Sequence, residues 1–297
     1  MISSEKDAYL RLHLAVLIAG GTGLFGQLIT INELPLVCLR VLLGSLMLGI
    51  IMGARKMLHR MAWRKLLKIC GCGVLLSVHW VFYYGSIKAA NISIGAVCFA
   101  LVGFMTAVVE PLVCKQRPSY RELLLGLLSV VGIGLIFGFE PRYRLGIGLG
   151  IISSLIYTAF SLCSKRVQAS SGESSSTMLL YEMIGGFVVL SLAVPVYTAL
   201  FPCRVIPSLP DTLWLLLFAS VFTIVPFLLQ LQALRHISAF TVNLTYNLEP
   251  VYTILLAILF FHEATQLNAP FWIGISLIIF AVGCQAWSTY RHARLRQ

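Results

Sequence analysis

Eight stretches of the chain, residues 12–32, 69–87, 89–109, 123–139, 145–164, 183–203, 212–234 and 264–290, contain no Asp, Glu, Lys or Arg. As helices of about 20 residues they are each long enough to cross a hydrocarbon layer about 30 Å thick. No soluble fold hides this much apolar surface. The chain is 59% hydrophobic and only 11% charged, whereas an ordinary soluble domain carries about 25% charged residues. This pattern excludes a soluble enzyme, a nucleic-acid module, a disordered chain and a secreted disulfide scaffold. What remains is a polytopic helical membrane protein.

Residues 36–54 and 239–261 are equally apolar but carry one charge each, Arg40 and Glu249. With them the expectation is ten spans: 12–30, 36–54, 67–87, 91–113, 121–139, 145–165, 177–200, 212–233, 239–261 and 269–288. Connections between them are short, which leaves no room for a soluble domain, so function must lie within the membrane.

The formal net charge of +11 could suggest a nucleic-acid partner, but its placement argues otherwise. With the N-terminus in the cytoplasm, all of the 22 lysines and arginines except Arg40, Lys88, Arg142, Arg144 and Arg204 fall on inside segments. The positive-inside rule then makes both termini cytoplasmic in a multi-pass protein of the cell (inner) membrane. Lys6 and Arg11 before an apolar run resemble a signal peptide, but no small-residue cleavage site ends that run, so it reads as an uncleaved first span. The eight cysteines lie mostly within spans and read as small apolar residues, and Cys70 and Cys72 have the wrong spacing for a redox or zinc pair.

Internal repetition shapes the rest of the reading. Ser86-Ile87-Lys88-Ala89-Ala90-Asn91 after the third span and Leu234-Arg235-His236-Ile237-Ser238-Ala239 after the eighth are both tight basic connections into a long apolar helix. Thr106 and Thr253 fall at equivalent depth in this register, and glycine-rich spans close both halves. The expected fold is therefore an all-α membrane protein of ten transmembrane helices in two five-helix units, residues 1–141 and 142–297. Because five is odd, the second unit enters the membrane from the opposite side, and inverted repeats are a device of alternating-access transporters.

The segment Ala233-Leu234-Arg235-His236-Ile237-Ser238-Ala239-Phe240-Thr241, then Asn247-Leu248-Glu249-Pro250-Val251-Tyr252 and His262-Glu263, closely resembles the second repeat of the EamA family of the drug/metabolite transporter superfamily. Tyr84-Gly85-Ser86-Ile87-Lys88 and the helix holding Gly126 resemble the first. The resemblance implies a ten-helix transporter moving a small metabolite, often outward, without nucleotide hydrolysis. One departure is that Glu110-Pro111 stands a turn or two later than the register of Glu249-Pro250 requires.

Ionisable groups within spans are functional candidates. Glu249, near the middle of span nine and directly before Pro250, could exchange a proton, or could bond a neighbouring helix. Pro250 removes a helix hydrogen bond and leaves a bend and a free carbonyl. Asn243, Tyr246, Asn247, Pro250 and Thr253 share a face of span nine. Cys72, His79, Tyr83 and Ser86 share one on span three, and Ser154, Tyr157, Ser161 and Ser164 one on span six. These faces could enclose a polar cavity or simply hold helices together. Trp80, Tyr83, Tyr157 and Tyr246 could stack on an amphipathic metabolite or amino acid. His79, Trp80, Tyr83, Tyr157, Asn243, Tyr246 and Asn247 are thus the candidate substrate contacts, with Glu249, Pro250, Arg40 and Glu110 as candidates for coupling or gating. Arg40, near the outer end of span two, could hold an anion or pair with Glu33. Glu182, its inverted counterpart, could pair with Lys165 or Arg166.

Enzyme classes find little support: there is no phosphate-cradling Gly-Lys-Ser/Thr, no aspartate cluster and no Gly-x-Ser-x-Gly. No cofactor or metal is expected. The expected partners are a small-molecule substrate and the lipid bilayer, with no nucleic acid and with a homodimer left open. A sensor or scaffold that keeps binding without transport is the competing reading.

Overall fold

The computed structural model describes residues 2–115, 117, 119–137, 143–261 and 269–295. Among these residues the chain is all-helical. In order the α-helices are α1 Ile2–Ala19, α2 Thr22–Leu28, α3 Glu33–Ala54, α4 Trp63–Ala89, α5 Ile92–Phe99, α6 Leu101–Cys114 and α7 Tyr120–Phe137. There follow α8 Arg144–Ser171, α9 Ser175–Leu200, α10 Leu209–Ala219, α11 Val225–Leu234, α12 Ala239–Thr245, α13 Glu249–Phe261 and α14 Ala269–Leu295.

Eight helical segments are long and apolar enough to cross a membrane: Lys6–Leu28, Glu33–Ala54, Trp63–Ala89, Ile92–Val113, Arg144–Ser171, Ser175–Leu200, Leu209–Leu234 and Ala239–Phe260. A shorter apolar stretch, Trp272–Ala281, lies within α14, and α7 occupies the place of the expected fifth span. The outer surface is inverted relative to a soluble protein, with Leu112, Leu124, Leu192, Leu213, Phe260 and Phe280 exposed. Such a continuous apolar exterior belongs in lipid, and the protein is a multi-pass membrane protein.

Four of the long segments are interrupted partway along, and the interruptions matter for the site. Gly20 and Gly21 separate α1 from α2, and Ala100 separates α5 from α6. A π-helical turn, Ser220–Ile224, joins α10 to α11, and a 3-10 turn, Tyr246–Leu248, joins α12 to α13. Irregular backbone at membrane depth leaves N–H and C=O groups free, so it is tolerated where protein or a wet cavity receives them. Thr253 in α13 does so for α1, donating from Oγ1 to the carbonyl of Gly20 at 2.8 Å.

The bundle centres on α4, which packs along both α8 and α9, while α3 lies on α9, α1 on α11, and α7 on α14. Helix starts are capped by short polar side chains, as free first-turn N–H groups require. Asn91 caps α5, Ser174 caps α9, Ser238 caps α12 and Ser208 caps α10. The same sequence spacing separates Asn91 from Ser238 as separates Thr106 from Thr253, and it carries the break at Ala100 onto the 3-10 turn. At this spacing Val102 falls at the position of Glu249, an apolar residue where the later segment has an acid.

Asp211 ties two of these segments together at their ends. Its carboxylate accepts from the backbone N–H and hydroxyl of Thr30 at 2.8 and 2.9 Å and from the N–H and hydroxyl of Ser208 at 3.0 and 2.7 Å. Hydrogen bonds to a charged group stabilise by roughly 1.5–3 kcal/mol, and a cap by about 1 kcal/mol. Asp211→Ala is expected to cost about 2 kcal/mol or more, read as a fall of several degrees in apparent Tm of the purified protein. A conservative Asp211→Asn change should restore part of the loss.

Candidate functional site

The helix interruptions converge on a buried cavity lined by Ala19, Thr22, Arg40, His79, Trp80, Tyr83, Tyr84, Phe99, Tyr157, Phe227, Tyr246 and Glu249. Its free volume is about 20 Å³, enough for one water molecule. A larger groove of about 520 Å³ lies between α7 and α14, but its lining is apolar apart from Arg121 and it opens on the lipid-facing surface. The chemistry is concentrated in the smaller space.

Arg40 is fully buried. Its guanidinium lies over the Trp80 ring at 3.7 Å and the Phe218 ring at 4.0 Å, and cation–π contacts of this kind offset part of the cost of desolvating the charge. Nε donates to Thr223 Oγ1 at 2.7 Å and Nη1 to Tyr84 OH at 3.1 Å. Thr223 reaches this position from the π-helical turn, and its hydroxyl also donates to Phe218 O at 2.8 Å. Nη2 has no partner.

Glu249 opens α13, directly after the 3-10 turn and before Pro250, whose missing N–H falls where the helix is already interrupted. The Glu249 carboxylate receives the Thr22 hydroxyl at 3.5 Å, a distance at the limit of a hydrogen bond. Arg40 and Glu249 face one cavity, yet among the described residues neither takes part in an ion pair. The phenol oxygens of Tyr83 and Tyr246 are likewise buried without partners.

Aromatic rings complete the walls. His79 lies 4.8 Å from Tyr157 and 5.4 Å from Phe99 between ring centres, and Phe99 stands edge-on to Tyr157 at 4.9 Å. His79 is anchored through Nδ1, which sits 2.8 Å from Ser153 Oγ and 3.0 Å from Ser153 O. Tyr157 accepts from Gln230 Nε2 at 2.7 Å.

Of the residues expected from sequence, the structure brings His79, Trp80, Tyr83, Tyr157, Tyr246, Glu249 and Arg40 to this cavity. It places Asn243 elsewhere, between Ser161 at 2.9 Å and Thr106 at 2.9 Å, where it joins three spans. Pro250 marks the resumed helix without lining the cavity. Glu110 accepts from the N–H of Phe240 at 3.1 Å in the first turn of α12, away from the centre. The backbone of Asn247 lies in the 3-10 turn, and its side chain is outside the described residues, as are His262 and Glu263.

Two expected pairings are replaced by others. Glu33 accepts from Tyr197 OH at 2.5 Å, leaving Arg40 to the cavity, and Glu182 accepts from Ser164 Oγ at 2.7 Å. Ser154 and Ser86 bond the carbonyls of Cys98 and Gly146, so these serines join helices. Sequence reasoning did not single out Thr22, Tyr84, Phe99 and Phe227. Tyr84 adjoins Tyr83 on the same helix, and its place one position off the chosen face hid it.

The model of the EamA-like transporter family matches residues 8–138 and 144–284. The uncharacterized transporter YxxF of Bacillus subtilis (strain 168) is 21% identical over 271 residues, spanning 87% of this chain and 84% of that protein. A solved crystal structure whose description assigns no function shares 18% identity and superposes with a TM-score of 0.70, over 93% of this chain and 96% of that one. At that identity the superposition establishes a common fold.

Proposed function

Because this chain belongs to the EamA-like transporter family, we propose that it is a secondary transporter, moving a small metabolite such as an amino acid or amphipathic compound by alternating access through the Arg40–Glu249 cavity. The observation that carries the proposal is the placement of two opposite, unpaired charges in one buried chamber ringed by interrupted helices. Ionisable groups at membrane depth are costly even when their charges balance, and two that share a chamber without a direct ion pair mark a path for a solute or an ion.

The architecture in this reading is ten spans in two inverted five-helix repeats, with residues 1–141 and 142–297 as the units and both termini in the cytoplasm of an inner-membrane protein. The family match in two parts, 8–138 and 144–284, supports that division. So does the common spacing of one pair of caps, Asn91 and Ser238, and of one pair of breaks, at Ala100 and at Tyr246–Leu248. Interrupted helices meeting at a midplane site let one set of halves rock against the other. A chamber with room for one water corresponds to a closed intermediate, from which either side opens. Transport in this reading is outward, the direction that the family resemblance favours. Glu249 is the proton-coupling group and Arg40 the fixed countercharge.

Proteoliposomes loaded with a defined mixture of amino acids and small organic acids test this directly. Saturable efflux of one or a few components, above that of protein-free vesicles and responsive to an imposed pH gradient, is the expected result. Binding of a component without any flux would overturn the transporter assignment in favour of a sensor or scaffold. Flux indifferent to the gradient would indicate a facilitator and remove the proton-coupling role.

A further inference from the structure

Resting on the reading of the central cavity as the transport site, we infer that its substrate is a small amphipathic monocarboxylate, bound through Arg40 with one proton held on Glu249. The hydrogen-bond inventory of the chamber sets the sign of the ligand. Among the described residues three buried polar atoms there lack partners: Arg40 Nη2, Tyr83 OH and Tyr246 OH. The first can only donate and the phenols can donate, so the unmet capacity is for donation. A carboxylate presents two oxygens with about four acceptor sites, and an Arg fork engages it with a charge-assisted bond. An ammonium would bring donors to a chamber whose one anionic acceptor is Glu249, with the Arg40 charge lining the same space. The remaining wall, Phe99, Phe227, Trp80 and the ring faces of the tyrosines, suits an apolar body.

Charge balance supplies the proton. With Arg40 positive and Glu249 negative the chamber is neutral, and an added carboxylate would leave an uncompensated charge in a poorly solvated space. A proton on Glu249 restores neutrality. The titratable groups facing Glu249 across this space are Arg40 from α3, His79, Tyr83 and Tyr84 from α4, Tyr157 from α8, and Tyr246 from the 3-10 turn. Of these His79 is the one other group whose ordinary chemistry is proton exchange at physiological pH, and its Nδ1 is already held against Ser153. Carboxylate and proton then travel in the same direction, as a neutral sum.

The test is calorimetric titration of the full-length protein in lipid nanodiscs with sodium benzoate, phenylacetate, benzamide, benzylamine and phenylalanine between pH 5.5 and 8. The aromatic carboxylates are expected to bind at least tenfold tighter than benzamide or benzylamine, and to tighten by up to tenfold per unit fall in pH, as uptake of one proton requires. Glu249→Gln should bind benzoate with the pH dependence removed. Arg40→Gln should lose at least tenfold, and Tyr246→Phe, which keeps the ring and the fold, several-fold; the latter serves should Arg40→Gln not fold.

Equal or tighter binding of benzylamine or phenylalanine would overturn the assignment in favour of a cation or zwitterion. Absence of carboxylate binding would overturn it too, and so would a pH dependence that survives in Glu249→Gln. Each of these results leaves the liposome flux of other solutes unaffected, so the substrate class and the transporter reading fail separately.

Discussion

Proteoliposomes carrying Glu249→Gln are expected to retain substrate exchange while losing their response to a pH gradient. Wild-type vesicles should respond to a gradient of one pH unit with up to a tenfold difference in initial rate, since one unit is worth about 1.4 kcal/mol per proton. Glutamine keeps the shape of the side chain and its ability to bond Thr22, 3.5 Å away, but it cannot gain or lose a proton. Rates of the variant should therefore be the same with either side acidic. In the wild type the sign is set by protonation: acid on the loading side fills Glu249 and speeds uptake, and alkali empties it and slows uptake. A variant that still follows the gradient would show that the proton is carried elsewhere, with His79 the first alternative.

Gly73→Leu is expected to eliminate folded protein, with recovery after detergent extraction reduced at least tenfold and the remainder aggregated. A Cβ at Gly73 would be placed upon the backbone carbonyl of Glu182 in α9, and one at Gly185 would meet Cys70 Cα at 2.6 Å and O at 2.5 Å. Gly186 faces Ser77 and the Gly73 carbonyl in the same way. Here α4 and α9 touch backbone to backbone, and no rotamer change can relieve a clash with main-chain atoms. Overpacking in an ordinary core costs roughly 1–3 kcal/mol. This contact would instead have to separate the two helices, along with the cavity residues that α4 carries. Gly71→Leu is the matched control: no side chain or facing helix lies within 4 Å of its Cβ position, so its folding should be near normal.

These glycines show where sequence reasoning stopped. Gly146, Gly148 and Gly150 in span six and Gly20, Gly21, Gly23 and Gly26 in span one are positions where the sequence permits close helix approach, and all of them but Gly148 make such contacts. Gly73, Gly185 and Gly186 were not singled out, because small residues are common throughout membrane helices and only the facing helix makes one of them indispensable. The polar faces behave similarly. Helical spacing correctly grouped His79 with Tyr83, but it could not tell that Ser86 bonds Gly146 O while Tyr83 OH is left unpartnered in the cavity. Asn243 shares a helical face with Tyr246, yet it sits a turn further along that face, where it joins Ser161 and Thr106 instead.

Arg40 carries the main lesson about depth. Counting along span two places it near an end, where snorkelling or pairing with Glu33 is the natural expectation. In the folded chain Tyr197 takes Glu33, and Trp80, Phe218, Tyr84 and Thr223 enclose the guanidinium.

Apolar periodicity and charge placement were enough to specify helices, their approximate limits, their residence in lipid and the candidate acid Glu249, because those properties depend on transfer of each segment from water to hydrocarbon, one segment at a time. Which unpaired charges share a chamber, and which glycines hold it closed, depended on the azimuth of each helix and on interruptions at Gly20, Ala100, Ser220–Ile224 and Tyr246–Leu248. Those are set by contacts between residues far apart in the chain, and only the packed bundle contains them.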